Sequence, residues 1–412
     1  MAKQTQGQVP RFRFAGFSSD WEERPIGEIL SETKRPIVLL DDQEYELITV
    51  KRRNGGVVSR GHLRGRDILV KNYSQLKGGD FVISKRQVVH GATGIVPQEL
   101  DEAIVSNEYL VADSNEEMST EFLTLLSSLP EMRQKFFLSS YGVDIEKMFF
   151  DADDWKKRNV TLPKLAEQSR VCSFFKELDQ MIGLHQRKHK KLLTLKQAML
   201  QKMFPLNGKS SPEIRFKGFS KAWREFKLGD LGNPFSGLSG KTKDDFGHGA
   251  GRYVTYMSVF SNAVSDESMT DSIEVDTTQT CVKYGDVFFT TSSESPEEVG
   301  MSSVWIGDSE STYLNSFCFG LRPTAQIDTY FLAFLLRSAD FRERIAFLAQ
   351  GISRYNISKL KTMKLVVMLP DNLEQQKIGS YFRNLDELTS KHATQLKKLK
   401  QIKSACLEKM FV

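Results

Sequence analysis

Residues 162–205 return as residues 369–412 with no insertion or deletion, at a constant offset of 369 − 162 = 207. Pro163 matches Pro370, Glu167 and Gln168 match Glu374 and Gln375, and Lys202, Met203 and Phe204 match Lys409, Met410 and Phe411. A duplication that holds register so far obliges the chain to build one element twice. Within each copy, residues step alternately by four and three: Val171, Phe175, Leu178, Ile182, His185, His189 and Leu192, then Ile378, Phe382, Leu385, Thr389, His392, Leu396 and Leu399. This heptad spacing predicts a long amphipathic helix with one seam. Phe175, Leu178, Ile182, His185 and Leu192 are the expected pairing residues of the first copy, and Phe382, Leu385, His392, Leu396 and Leu399 those of the second. A helix of about 35 to 40 residues rises about 55 Å, more than one small core can cover. The seam needs a partner, and the second copy is the obvious one. A whole globular body separates the copies, so they can meet antiparallel with the bodies at opposite ends.

A second motif also recurs. Residues 10–23 return as 212–225 at an offset of 202, matching Phe14 with Phe216, Gly16 with Gly218, Phe17 with Phe219 and Trp21 with Trp223. The chain therefore divides into two tandem halves related by a pseudo-twofold repeat. The expected limits are a first globular domain at 1–161, a long helix and linker at 162–208, a second globular domain at 209–368 and a final helix at 369–412. The residues from Asn207 to Pro212 supply a flexible break. Strand-like runs, among them Tyr45–Val50 and Phe81–Ser84, alternate with helical stretches near 120–129 and 330–336, so each body is mixed and the fold class is α/β (α+β). Asn54-Gly55 between apolar runs predicts a type I′ hairpin turn. Lys77 to Asp80 parallels Lys283 to Asp286, but elsewhere the bodies differ. One scaffold carries two surfaces.

Several function classes fall away. The four cysteines lie far apart with no CxxC pair, which argues against a zinc site or disulfides and suits a reducing cytoplasm. No credible signal peptide or membrane span is present. Residues 236–242 approach a phosphate-binding loop, but Phe235 stands where its first glycine belongs. Phe246 to Gly251 resembles the glycine loop of S-adenosylmethionine-dependent methyltransferases, and Asn233-Pro234-Phe235 their catalytic turn. The two lie about a dozen residues apart and are expected to share one polar loop, the wrong context for that chemistry. No catalytic residue and no metal ligand set is predicted; His185 and His392 alone fall short of a metal site.

Charge points elsewhere. The net charge of +5 is mild, so what matters is where the basic residues sit. Lys51, Arg52, Arg53, Arg60, Arg64, Arg66 and Lys71, with His62 among them, crowd one stretch interleaved with glycines. Arginines neutralise phosphates and fork onto guanine edges, and glycines allow close backbone approach. Lys241, Lys243, Arg252 and Arg354 form a weaker counterpart in the second body. A solvated charged face, and a coiled-coil scaffold binding only proteins, remain the alternatives.

With these features together, nearly the whole chain resembles the specificity subunit of type I restriction–modification systems. The carrying residues are the opening motifs at 10–17 and 212–219, the Leu-Pro-x-x-x-Glu-Gln starts at 162 and 369, and the Lys-Met-Phe endings at 202–204 and 409–411. The resemblance implies a non-catalytic chain that binds double-stranded DNA. Its two bodies would be target recognition domains, each reading half of a bipartite site. The helices would dock two methylation subunits, and restriction subunits would join in the full complex. No cofactor would be bound by this chain: S-adenosylmethionine belongs to the methylation subunits, and ATP and Mg to the restriction subunits.

Overall fold

The computed structural model describes residues 9–70, 72–206 and 208–411; Lys71 and Asn207, both singled out above, lie outside the described residues. Two helices of equal length, Leu165–Lys202 and Asn372–Lys409, each of 38 residues, form where the heptads predict them. The chain divides into two units, one of residues 1–184 with 396–412 and the other of residues 185–395, so each unit holds a segment of both helices.

In the first unit, the segments run antiparallel: Phe175 packs on Phe411 at 6.2 Å, and Lys403 pairs with Asp179 at 2.6 Å. A five-stranded sheet contains the hairpin Glu44–Val50 and Val57–Arg64, whose second strand is an edge. A four-stranded sheet built round Phe81–Ser84 packs on the helix pair Thr120–Ser127 and Pro130–Leu138. The core joins Trp21, Phe122, Phe136 and Trp155 to Phe175 and Leu178 of the first long helix and to Met410, just past the end of the second.

The second unit repeats this plan with other residues. Its long-helix segments are again antiparallel, with Phe204 on Phe382 at 5.7 Å and Lys196 bonded to Asp386 at 2.5 Å. Its five-stranded sheet has the order Gly232–Ser236, Cys318–Pro323, Val287–Thr290, Ser302–Trp305 and Val264–Ser265. The helix pair Thr329–Leu335 and Ala339–Ala346 covers it.

The recurring sequence does the same work in both units. Arg13 forks onto Glu167 through Nε at 2.7 Å and Nη2 at 2.6 Å, and Arg215 forks onto Glu374 at 2.6 and 2.7 Å. Each clamp fixes the first turn of a long helix to an opening motif. The same motif grips the end of the other helix: Phe12 N–H donates to the Lys409 carbonyl at 2.9 Å, and Ile214 N–H to the Lys202 carbonyl at 2.8 Å. Gln168 and Gln375 likewise accept from the N–H groups of Ser119 and Asp328, both at 3.0 Å. Asp80 and Asp286 close equivalent turns, accepting from Lys77 N–H at 2.7 Å and Lys283 N–H at 2.8 Å. Gly79 and Gly285 supply the positive φ these turns need, +97° and +85°.

The methyltransferase-like motifs do not share a polar loop. Residues 233–235 lie in a strand paired with Cys318–Pro323, and residues 246–251 open the strand Phe246–Val254, beside a bulge. Gly249 and Gly251 are close-packed, since an added Cβ would stand 2.5 and 2.9 Å from the Ile273 carbonyl oxygen. Strand packing explains them better than ligand binding does.

Candidate nucleic-acid interface

The basic stretch of the first unit is a ribbon. Strand Val57–Arg64 pairs along its outer arm with Glu44–Val50 and is exposed or half-exposed everywhere beyond Val57. The pairing slips between Leu47 and Ile48, where Gly61 and Ser59 are the partners and Arg60 is the extra residue. Such a bulge re-aims a side chain at a sheet edge. Gly61, at φ +112°, provides the conformation for it.

At the tip the expected turn is displaced by one residue. Gly55 N–H donates to the Arg52 carbonyl at 3.2 Å, and the central pair is Arg53 and Asn54, with φ of +59° and +55°. Positive φ at both is what a type I′ turn requires. Non-glycine residues tolerate it because the tip is tied down: Arg53 N–H donates to the His90 carbonyl at 2.7 Å and Asn54 N–H to that of Gly91 at 2.8 Å. The arginine is thereby held out on a braced turn.

Acids temper the charge. Arg52 pairs with Glu146 at 2.6 Å and Arg66 with Asp42 at 3.3 Å, while Arg64 and His62 stand across the strand pair from Glu44 and Glu46. Both ion pairs are about half exposed or more, where such pairs are weak and a phosphate can replace the acid. Lys51, Arg53, Arg60 and Arg64 are exposed and make no side-chain ion pair among the described residues.

The second unit distributes its cations differently. Arg252 turns inward: Nε, Nη1 and Nη2 donate to Thr270 Oγ1 at 2.9 Å, Ser272 Oγ at 3.2 Å and the Thr270 carbonyl at 2.7 Å. Its guanidinium is occupied in joining two strands. Lys241 lies between Asp276 at 2.8 Å and Asp245 at 3.8 Å, and the hydrogen bond to Asp276 raises its pKa. Lys243 and Arg354 are exposed. Residues distant in sequence complete both surfaces: Arg133 reaches Asn54 Oδ1 at 3.2 Å, and Lys359 Nζ reaches Ser236 Oγ at 3.0 Å. Local charge density could not reveal these, because folding alone brings them to the site.

The helix seam is buried at Phe175, Leu178, Ile182, Phe382 and Leu385, and half-buried at Leu192, Leu396 and Leu399. His185 and His392 meet Nδ1 to Nδ1 at 3.0 Å within the second unit. Desolvation lowers the pKa of His392, and His185, Lys188, Lys391 and His189 add to the effect. No cluster of three or more metal-ligating side chains occurs among the described residues.

Comparison with known proteins gives this geometry its family. The profile of the type I restriction modification DNA specificity domain matches residues 18–194 and again 220–401. The MjaVIII type I restriction enzyme specificity subunit of Methanocaldococcus jannaschii is 20% identical over 425 residues, covering 93% of this chain and 90% of that protein. A type I restriction–modification S subunit from M. genitalium shares the fold at a TM-score of 0.55 and 14% identity, covering 98% of this chain and 99% of that one. The HsdS subunit of Thermoanaerobacter tengcongensis is 18% identical, with a TM-score of 0.48 and coverage of 95% and 96%. Specificity subunits of this kind are non-catalytic and carry no cofactor of their own. Matched twice and over most of its length, the chain belongs to the family of type I restriction–modification DNA specificity subunits.

Proposed function

We propose that this chain reads a bipartite, asymmetric site on double-stranded DNA, residues 1–161 and 209–368 serving as two target recognition domains and the long helices setting the gap between the two words. The observation that carries this reading is the pairing of sameness with difference. The Arg–Glu clamps, aspartate turns and helix ends are duplicated to within about 0.1 Å in their key bonds, while the cations are displayed differently: on an edge ribbon in one unit, at Lys243 and Arg354 in the other. A duplicated frame with unlike surfaces suits two unlike words on one duplex.

The helices also repeat an apolar feature away from the seam. Met181 and Leu388 are 43% and 45% exposed, and Leu195 and Ile402 are 38% and 47% exposed, each pair at the 207-residue offset. Equivalent exposed patches favour two copies of one partner, and we assign them to two methylation subunits holding S-adenosylmethionine. Restriction subunits, with their ATP and Mg, would join through those, in the cytoplasm. Among the described residues no helix is long and apolar enough to cross a membrane.

Binding of the full chain to a 40-base-pair random duplex, followed by fluorescence anisotropy over a range of salt, tests the DNA reading. Affinity should fall steeply with salt, and replacing Lys51, Arg53 and Arg64 together by alanine should flatten the log–log slope by about 0.9 for each phosphate that is no longer neutralised. Binding to no duplex would instead support a protein-only scaffold.

A further inference from the structure

The two units share an exposed apolar tip outside the duplicated motifs. Ser119, Phe122, Leu126 and Phe136 correspond to Asp328, Phe331, Leu335 and Ile345 at an offset of 328 − 119 = 209. Carried past the second helix of each pair, that offset aligns Gly142-Val143 with Gly351-Ile352. Val143 is 106% exposed and Ile352 is 95% exposed.

Both tips are built tightly. In the first unit, Ser140–Tyr141 pairs with Phe149–Phe150, and the Tyr141 and Phe149 rings meet in a tilted contact at 5.7 Å across the base. In the second, Gln350 and Asn356 exchange both backbone hydrogen bonds at 2.9 Å. Each glycine is pressed against the returning arm: an added Cβ would lie 2.9 Å from Met148 Cα in one and 2.0 Å from the Arg354 carbonyl in the other. A β-branched side chain, stiff at χ1, is thus presented to solvent on a rigid stem. A cation stands beside each tip. Arg52 of the basic turn pairs with Glu146 in the first loop, and exposed Arg354 lies two residues from Ile352.

We infer that Val143 and Ile352 are apolar wedges that enter the DNA base stack, one at each word. This rests on the DNA reading above and deepens it. A phosphate would not attract an aliphatic tip, and a base-edge contact would differ between heads that read different words. An aliphatic side chain inserted between base steps kinks a duplex irrespective of the hydrogen-bonding edges, so the same device serves both heads. The neighbouring arginines would hold the backbone on either side of the opened step.

The test uses the full chain and a 40-base-pair duplex selected by the wild-type chain from a random pool, with donor and acceptor dyes at its ends. Wild type should raise energy transfer by bending the duplex. Val143→Ser and Ile352→Ser change fully exposed side chains and should leave the melting temperature unchanged. Each should lower affinity about tenfold, and the double variant should return energy transfer to that of free DNA. A straight duplex under wild type, or unchanged energy transfer in the double variant, overturns the wedge. If bending persists while the variants lose co-purifying partner subunits, the tips dock protein and the wedge is equally overturned. Failure of wild type to select any duplex would instead defeat the underlying DNA reading.

Discussion

Single side chains decide how firmly each half is assembled. The carboxylates of Glu167 and Glu374 are 4% and 0% exposed, and their clamping arginines 12% and 14%. The hydrogen bond to the carboxylate is the main cause of the raised pKa of Arg13 and of Arg215. Arg13→Met or Arg215→Met would strand a buried charge, so each should cost roughly 3 kcal/mol in urea unfolding, the low end for a broken buried pair. The two losses should be similar because the geometries match. His392 gives a pH effect whose sign is set. His392 has a lowered pKa in the folded chain, so the folded state takes up that proton later than the unfolded chain as pH falls. Its contribution is complete above the unfolded value of 6.5 and declines as pH drops through it. The melting temperature should fall between about pH 7.5 and about pH 5.5, and fall less in His392→Leu; equal falls would contradict this. At this scale the sequence is informative where residues recur, as at Glu167, Gln168 and their copies. It is silent where the fold supplies a distant partner. Arg52 reads as free in the sequence although Glu146, far along the chain, lies against it, and Arg252 reads as a DNA-facing residue although Thr270 and Ser272 occupy it.

At the level of elements, the long helices are legible almost to their ends because heptad periodicity is a strong, repeated signal. The hairpin is legible in existence and displaced by one residue in its turn, since the hydrogen bonds from Arg53 and Asn54 to 90–91 are tertiary. The strand carrying residues 246–251 is not legible, because glycines there mark close packing on Ile273, which local propensity does not register. The helices also suggest an engineering test. Phe204 is buried in its unit's core, so lengthening the first helix near Gln201 would dislodge it. Adding one heptad after Leu184 together with one after Gln395 keeps both seams in phase. At 1.5 Å per residue, this should lengthen the gap between the words by about three base pairs and leave the words intact. Altered words with an unchanged gap would remove the helices from their assigned role.

For the whole molecule, family and function rest on different grounds. Membership follows from a profile that matches twice and from motifs that build the same clamps twice. The two words, the docking of methylation subunits and the residues that touch bases are proposals from surface chemistry, because the surfaces proposed to read them lie where the halves diverge and no internal repeat can identify them. The most direct measurement is methylome sequencing of a strain carrying this gene with its partner genes, before and after deletion of this gene alone. The expected result is loss of methylation at one asymmetric motif of two short words separated by unspecified bases; unchanged methylation, or loss at a single uninterrupted word, would contradict it.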